Sequence, residues 1–423
     1  MTIPRVDLAL FAIVLLLGIS FGAVQVSSMP GVPSHGRYHP SDMDDLQAQL
    51  LGHTVLPKPY AAASDHPAWI TICGFYQTAS SATGLRGMTL WNIATPVLLG
   101  VNLCLFLGLA RQLRFTRSQA IGLTAVFLAT GATITWSVVL ETHVLAPTGL
   151  LLAALILSNR RFTSRLWGRP TPESLAVFGL AIAVSASITI TNIMLALLAA
   201  LPMNVFRHPN PPRLVSRMTS RLPTVTTAFL VGIGILAFVH LIGWYLTQDR
   251  DMRQFLEVLV KGAGDGILLL QGGPGSRWES VLALSWIAPP MDAYTGSPEA
   301  LDLLALDRSW PTVPAYLSGL VVLMLTICSL RTCSARVLFI PCFAIFGVVL
   351  HAIYGFGESF LFSANYTWAT VLSVGLLGRR ILSNQLGWLA VTLAILLVIT
   401  NLVIWNHGID WITANEYLLP KAR

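Results

Sequence analysis

The sequence predicts an all-α polytopic membrane protein of about 11 membrane helices, two of them short and paired in a re-entrant hairpin. Three observations carry that prediction: the composition, the spacing of apolar runs, and the sorting of charge between the loops. Of 423 residues, 54% are hydrophobic and 11% charged, whereas a soluble domain carries roughly 25% charged residues. The mean hydropathy is +0.69. A soluble enzyme is excluded, and any site must be built from loop ends and helix interiors.

Apolar stretches long enough to span a bilayer run over residues 6–27, 89–110, 118–136, 139–158, 225–247, 312–330, 337–355, 361–378 and 385–406. The first follows Arg5 and ends in QVSSMPG without a small-x-small cleavage pattern, so it is expected to be a membrane helix rather than a signal peptide. The stretch 174–204 is too long for one span and too short for two. It groups Ser185, Ser187, Thr189, Thr191 and Asn192 at its centre. Two short helices meeting inside the membrane would put that polar group at the apex, where hydroxyls and an amide can satisfy freed backbone groups. The competing reading is one long tilted span.

The hairpin also sorts the charges. With 174–204 returning to its own side, 16 of the 26 basic residues share one side with only Asp7 and Glu173, while the other side holds 10 basic and 17 acidic residues. The positive-inside rule makes the first side cytoplasmic. The net charge of +7 is thus topogenic and excludes a nucleic-acid role. The expected location is a bacterial inner membrane, with a cytoplasmic N-terminus and a periplasmic C-terminus. The chain is one transmembrane domain, 1–423, with two long periplasmic loops, 28–88 and 248–311. Loops of that length are usually functional. Five cysteines offer neither a disulfide framework nor metal-ligand spacing. No cofactor is specified, and nothing in the sequence requires a divalent metal.

The candidate chemistry lies on the outer side. Within 37–60, RYHPSDMDDLQAQLLGHTVLPKPY, Asp42, Asp44 and Asp45 stand close together between Arg37 and Lys58. One reading is a capped interfacial helix over 44–51 with leucines facing the bilayer. The other is a general base, since a neighbouring like charge raises a carboxylate's pKa into a useful range. Glu141, beside His143, sits at an outer turn between two spans, where an acid snorkels or holds a ligand. Glu358 lies in HAIYGFGESFLFSANYTW with Tyr354 and Tyr366, an ordinary aromatic belt or the wall of a sugar site. His351 and Asn365 are weaker candidates, as packing groups are common at such positions. In the second loop, Gly-Gly-Pro-Gly before Arg277 reads as a turn, because the strand–loop–helix setting of a phosphate loop is missing.

The order of these blocks resembles the GT-C superfamily of integral-membrane glycosyltransferases, near the protein O-mannosyltransferases and the lipid A aminoarabinose transferases. HPSDMDDLQAQLLGHTVLPKPY is similar to the family's acidic block and interfacial helix. ETHVLAPTGLLLAALILSNRR is similar to its acid followed by a span with a basic exit, and GLAIAVSASITITNIMLALLAALP to a segment with a polar apex. The resemblance implies an inverting transfer from a polyprenyl-phosphate sugar donor to a lipid, glycan or protein acceptor. Asp42, Asp44 or Asp45 would be the base. Glu141, His143, Glu358, Tyr354 and Tyr366 would contact sugar or acceptor, and Arg37, Lys58 and Arg277 the phosphate. Membrane lipids are the other partner. The alternative is a flippase or transporter of a lipid or polyprenyl-linked substrate, which would use Glu141, Glu358 and His351 as a proton or headgroup path.

Overall fold

The computed structural model of the chain describes residues 5–28, 68–85, 89–136, 145–168, 170–187, 189–201, 211–247, 286, 312–353 and 363–414. Every element among them is helical. In chain order they are α1 (Arg5–Ser28), α2 (Trp69–Thr83), α3 (Thr89–Gln112), α4 (Arg117–Ala129), α5 (Gly131–Trp136), α6 (Ala146–Ser158) and α7 (Arg160–Gly168). There follow α8 (Pro172–Ala186), a 3-10 turn (Ile190–Ile193) leading into α9 (Met194–Ala200), and α10 (Pro211–Thr247). The last are α11 (Thr312–Thr332), α12 (Phe339–Ile353), α13 (Ser363–Leu382) and α14 (Leu386–Ala414).

Four helical runs are long and apolar enough to cross a membrane: Leu8–Ser27, Thr89–Gln112, Met218–Gly243 and Ser363–Ile404. The last comprises α13 and α14, which reverse direction through the 3-10 turn Ser383–Gln385. The bundle is apolar on the outside as well as inside. Leu16, Leu230, Phe238 and Trp388 are more than half exposed, the arrangement that lipid favours and water penalises. The centre is filled from α3, α4, α6 and α13, with Phe106 and Phe127 stacked at 4.7 Å and Trp368 fully buried.

Close approach sets the helix pairing, since in lipid the gain comes from packing rather than from hiding apolar surface. Helices α1 and α3 run antiparallel, Gly18 meeting Gly100 and Gly22 meeting Pro96. Helices α4 and α14 run parallel. A Cβ on Gly122 would lie 2.6 Å from the Gly387 carbonyl oxygen, and Asn401 reaches Ala129 further along. Polar side chains join other pairs: Thr148 of α6 donates to Asn102 of α3 at 2.7 Å, and Gln112 Nε2 donates to the Leu155 carbonyl at 2.7 Å.

The C-terminal ends of α3, α6, α9, α11 and α13 surround one cavity, so the arginines at those ends cluster at one end of the bundle. Helix α8 leaves that end, starting from a Thr171–Ser174 capping box with Pro172 at its first position. The chain returns to the same end at Ala200, whose carbonyl accepts from Arg221 Nη1 at 3.0 Å. Among the described residues, α8 thus starts and α9 ends at the same end of the bundle.

Some elements differ from the sequence reading. The run 118–136 is split at Thr130, whose extended backbone (ψ 144°) ends α4 before Gly131 starts α5. Helix α10 begins well before 225, because residues 211–217 of the basic connector are already helical. Helix α2 lies inside the first long loop and packs along α10, with Thr71 Oγ1 donating to the Val239 carbonyl at 2.6 Å. The interfacial helix expected over 44–51 lies outside the described residues. Arg114 follows α3 with φ +68°. There the Phe115 amide donates to the Ala110 carbonyl and the Arg114 amide to the Arg111 carbonyl, the Schellman pattern that normally places glycine at this residue.

The Gly122 contact is open to a direct test. Gly122→Leu is expected to push α4 from α14 and lower stability by about 1–3 kcal/mol, read as the thermal unfolding midpoint in detergent. Gly234→Leu, where a Cβ would meet nothing within 4 Å, leaves the midpoint unchanged or higher.

Candidate functional site

Two places in the bundle gather buried polar side chains without a partner among the described residues. The first is the apex of the α8–α9 hairpin. The backbone leaves helical geometry between Ser187 and Ile190, and part of its hydrogen bonding is restored locally. Ser185 Oγ donates to the Ile182 carbonyl, Ser187 Oγ to the Val184 carbonyl, and the Asn192 amide to the Thr189 carbonyl. The Ser187 carbonyl accepts from the Ala68 amide at 2.7 Å. The remaining side chains of the apex are not spent this way. Thr189 Oγ1, Thr191 Oγ1 and Asn192 Nδ2 are buried with no hydrogen-bond partner among the described residues. An unmet buried polar group costs about 1–3 kcal/mol, a cost that the described neighbours of the apex do not offset.

The apex is also where Ala68, which precedes α2, meets the bundle. Ala68 is the first described residue after the Asp42–Asp45 block, and it packs against Ala146, the first residue of α6, close after Glu141 and His143. Ile72 and Val239 close the same contact. Next to it stands an aromatic group, Trp69 edge-on to Trp91 at 6.4 Å, with the Trp91 amide donating to the Tyr76 hydroxyl at 3.3 Å. Rings of this kind stack on sugar faces and on prenyl chains. The sequence reading passed over Trp69, Tyr76 and Trp91, although all three are visible in it as aromatics flanking the end of the first long loop.

The second place joins α12 to α13. His351 and Tyr366 stack at 6.0 Å and 21°, and a Cβ on Gly347 would lie 2.6 Å from the Tyr366 Cβ. Asn365 is 1% exposed, and neither end of its amide has a partner among the described residues. Trp286, from the second long loop, closes a cavity of about 10 Å³ beside Tyr366, Thr367, Thr370 and Thr326, room for about one water. The Trp286 carbonyl accepts from the Gly131 amide at 3.0 Å and from Asn401 Nδ2 at 2.9 Å, so it satisfies the break between α4 and α5.

Of the residues expected to contact substrate, Tyr366 is described, and it is enclosed with His351 and Asn365 rather than set on an open belt. Asp42, Asp44, Asp45, Arg37, Lys58, Glu141, His143, Arg277, Tyr354 and Glu358 lie outside the described residues. Among the described residues no three His, Cys, Asp or Glu side chains gather into a metal site. No family model matches the chain, and no curated protein matches it.

The apex and the Asn401 bridge make opposite predictions for polar-to-apolar change. Thr189→Val with Thr191→Val removes hydroxyls that bond nothing described, so thermal stability is expected to hold within about 0.5 kcal/mol or to rise. Asn401→Ala abandons the Ala129 and Trp286 carbonyls and is expected to cost about 1–3 kcal/mol by the same measurement.

Proposed function

We propose that the chain is an integral-membrane glycosyltransferase that moves a sugar from a polyprenyl-phosphate donor to a lipid, glycan or protein hydroxyl. Its architecture is then GT-C-like, with about 11 membrane helices including the re-entrant pair. Its arginine end and N-terminus face the cytoplasm of a bacterial inner membrane, and its C-terminus faces the periplasm. The observation that carries the reading is the hairpin apex. The Thr189 and Thr191 hydroxyls and the Asn192 Nδ2 are buried there without a partner among the described residues, the Ser187 carbonyl accepts from Ala68, and Ala68 packs on Ala146, close in sequence after Asp42–Asp45 and Glu141.

In this reading one aspartate of the first loop takes the proton of the acceptor hydroxyl. The oxygen attacks the anomeric carbon from the face opposite the phosphate, the carbon–oxygen bond to phosphate breaks, and its electron pair leaves with the lipid phosphate. Arg37, Lys58 and Arg277 neutralise that anion. Attack opposite the leaving group inverts the anomeric centre. Glu141, His143, Glu358, Tyr354 and Tyr366 hold the sugar and acceptor hydroxyls.

The test is sugar release from a panel of polyprenyl-phosphate sugars by purified protein in detergent, with Asp42→Asn, Asp44→Asn and Asp45→Asn alongside. Loss of a general base is expected to cost about 10²–10⁴-fold in turnover for one of the three, with the donor still bound. A chain that neither binds nor turns over any donor contradicts the reading. Translocation of a polyprenyl-linked headgroup in liposomes would then favour the flippase.

A further inference from the structure

A feature not used by the proposed reaction lies at the end of the bundle opposite the hairpin apex. It is a cavity of about 870 Å³, walled by Arg114, Arg160, Arg221, Arg336, Arg379 and Arg380, with no Asp or Glu among its described lining residues. Arginines that only set topology need to be near the membrane surface. They need neither to converge on a cavity nor to be held in place there.

Two of these six are held. Arg379 Nη1 donates to the Leu113 carbonyl at 2.7 Å, and its guanidinium lies 4.8 Å over the Phe115 ring. Arg221 donates to the Ala200 carbonyl at 3.0 Å and lies 4.6 Å over the Trp167 ring. Both are oriented by backbone carbonyls and ring faces at the edge of the cavity. A third, Arg114, occupies a left-handed backbone position (φ +68°) where the Schellman turn favours glycine. A long cationic side chain retained at a glycine position beside a cavity points to a use for that side chain. Ser158, Thr163, Ser164, Thr332 and Ser334 add hydroxyls to the wall.

We propose that this cavity is a binding site for a phosphate-bearing anion, held by fork-like contacts from several guanidinium groups. The phosphate belongs either to a lipid headgroup of the adjacent leaflet or to a soluble phosphate compound. The site is independent of the sugar transfer proposed above, since it lies at the other end of the helices and is tested without any donor.

The experiment measures binding through the thermal unfolding midpoint of the full chain, since a ligand held by the folded state raises it. One arm titrates inorganic pyrophosphate in detergent. The other compares nanodiscs of phosphatidylglycerol with nanodiscs of phosphatidylcholine. The wild type is expected to show a saturable rise in at least one arm, and the responding arm tells a soluble phosphate from a headgroup. Arg114→Gly is expected to fold with an unchanged or higher unliganded midpoint, because its backbone suits glycine, yet to bind at least fivefold more weakly. Arg336→Gln with Arg380→Gln gives a second weakened variant should the turn not tolerate change. Arg165→Gln, on the same end but outside the cavity lining, keeps wild-type affinity. The proposal is overturned if the wild type shows no saturable rise in either arm. It is equally overturned if the Arg114→Gly and Arg336→Gln/Arg380→Gln variants bind as the wild type does, or if Arg165→Gln weakens binding as much as they do.

Discussion

A backbone that leaves helical hydrogen bonding inside an apolar bundle must find other partners, and the architecture of this protein follows from how two such breaks are closed. At the hairpin apex the Ser187 carbonyl is met by the Ala68 amide. At the α4–α5 break the Gly131 amide is met by the Trp286 carbonyl, which Asn401 also bonds. In lipid each unmet group costs several kcal/mol, so neither break would persist without its partner. Both partners come from the long connections, Ala68 from the first and Trp286 from the second. The connections are therefore structural parts of the helix bundle as well as carriers of candidate chemistry.

That constraint separates the molecule chemically. One end collects the anchors of the acidic segments, a hairpin apex with unspent hydroxyls and an amide, and the Trp69–Trp91 pair. The other collects arginines pinned on carbonyls and rings, with Thr116 and Thr171 capping boxes fixing the helix starts between them. The hairpin is what keeps this division, because it lets 174–204 begin and end at the arginine end. A segment that crossed instead would carry Arg221, Arg331, Arg336, Arg379 and Arg380 to the opposite end.

Much of this was legible in the sequence where a local rule applied. Runs such as 89–110 and 312–330 announced their helices by length and apolar content. The Ser-Ala-Ser-Ile-Thr-Ile-Thr-Asn stretch announced a polar apex. What stayed hidden depends on contacts distant in sequence. Trp69–Thr83 is apolar enough for a helix, but only its packing on α10 distinguishes it from loop. Trp286 gives no local sign that its carbonyl closes a break more than 150 residues earlier. Arg114 carries no sequence signature of left-handed backbone, and the contact of the next residue, Phe115, with Arg379 is distant in sequence. The pairing of His351 with Tyr366 depends on the close approach at Gly347, a tertiary fact that periodicity does not encode.

The hairpin is the central claim, and labelling of single cysteines in membrane vesicles tests it most directly. With Cys73, Cys104, Cys328, Cys333 and Cys342 replaced, a cysteine is placed singly at Pro170, at Arg207 or at Gly84, and each is exposed to a membrane-impermeant maleimide from either face. The account predicts that positions 170 and 207 react from one face and position 84 from the other. Reaction of 170 and 207 from opposite faces would contradict it, making 174–204 a single crossing and reversing every helix that follows.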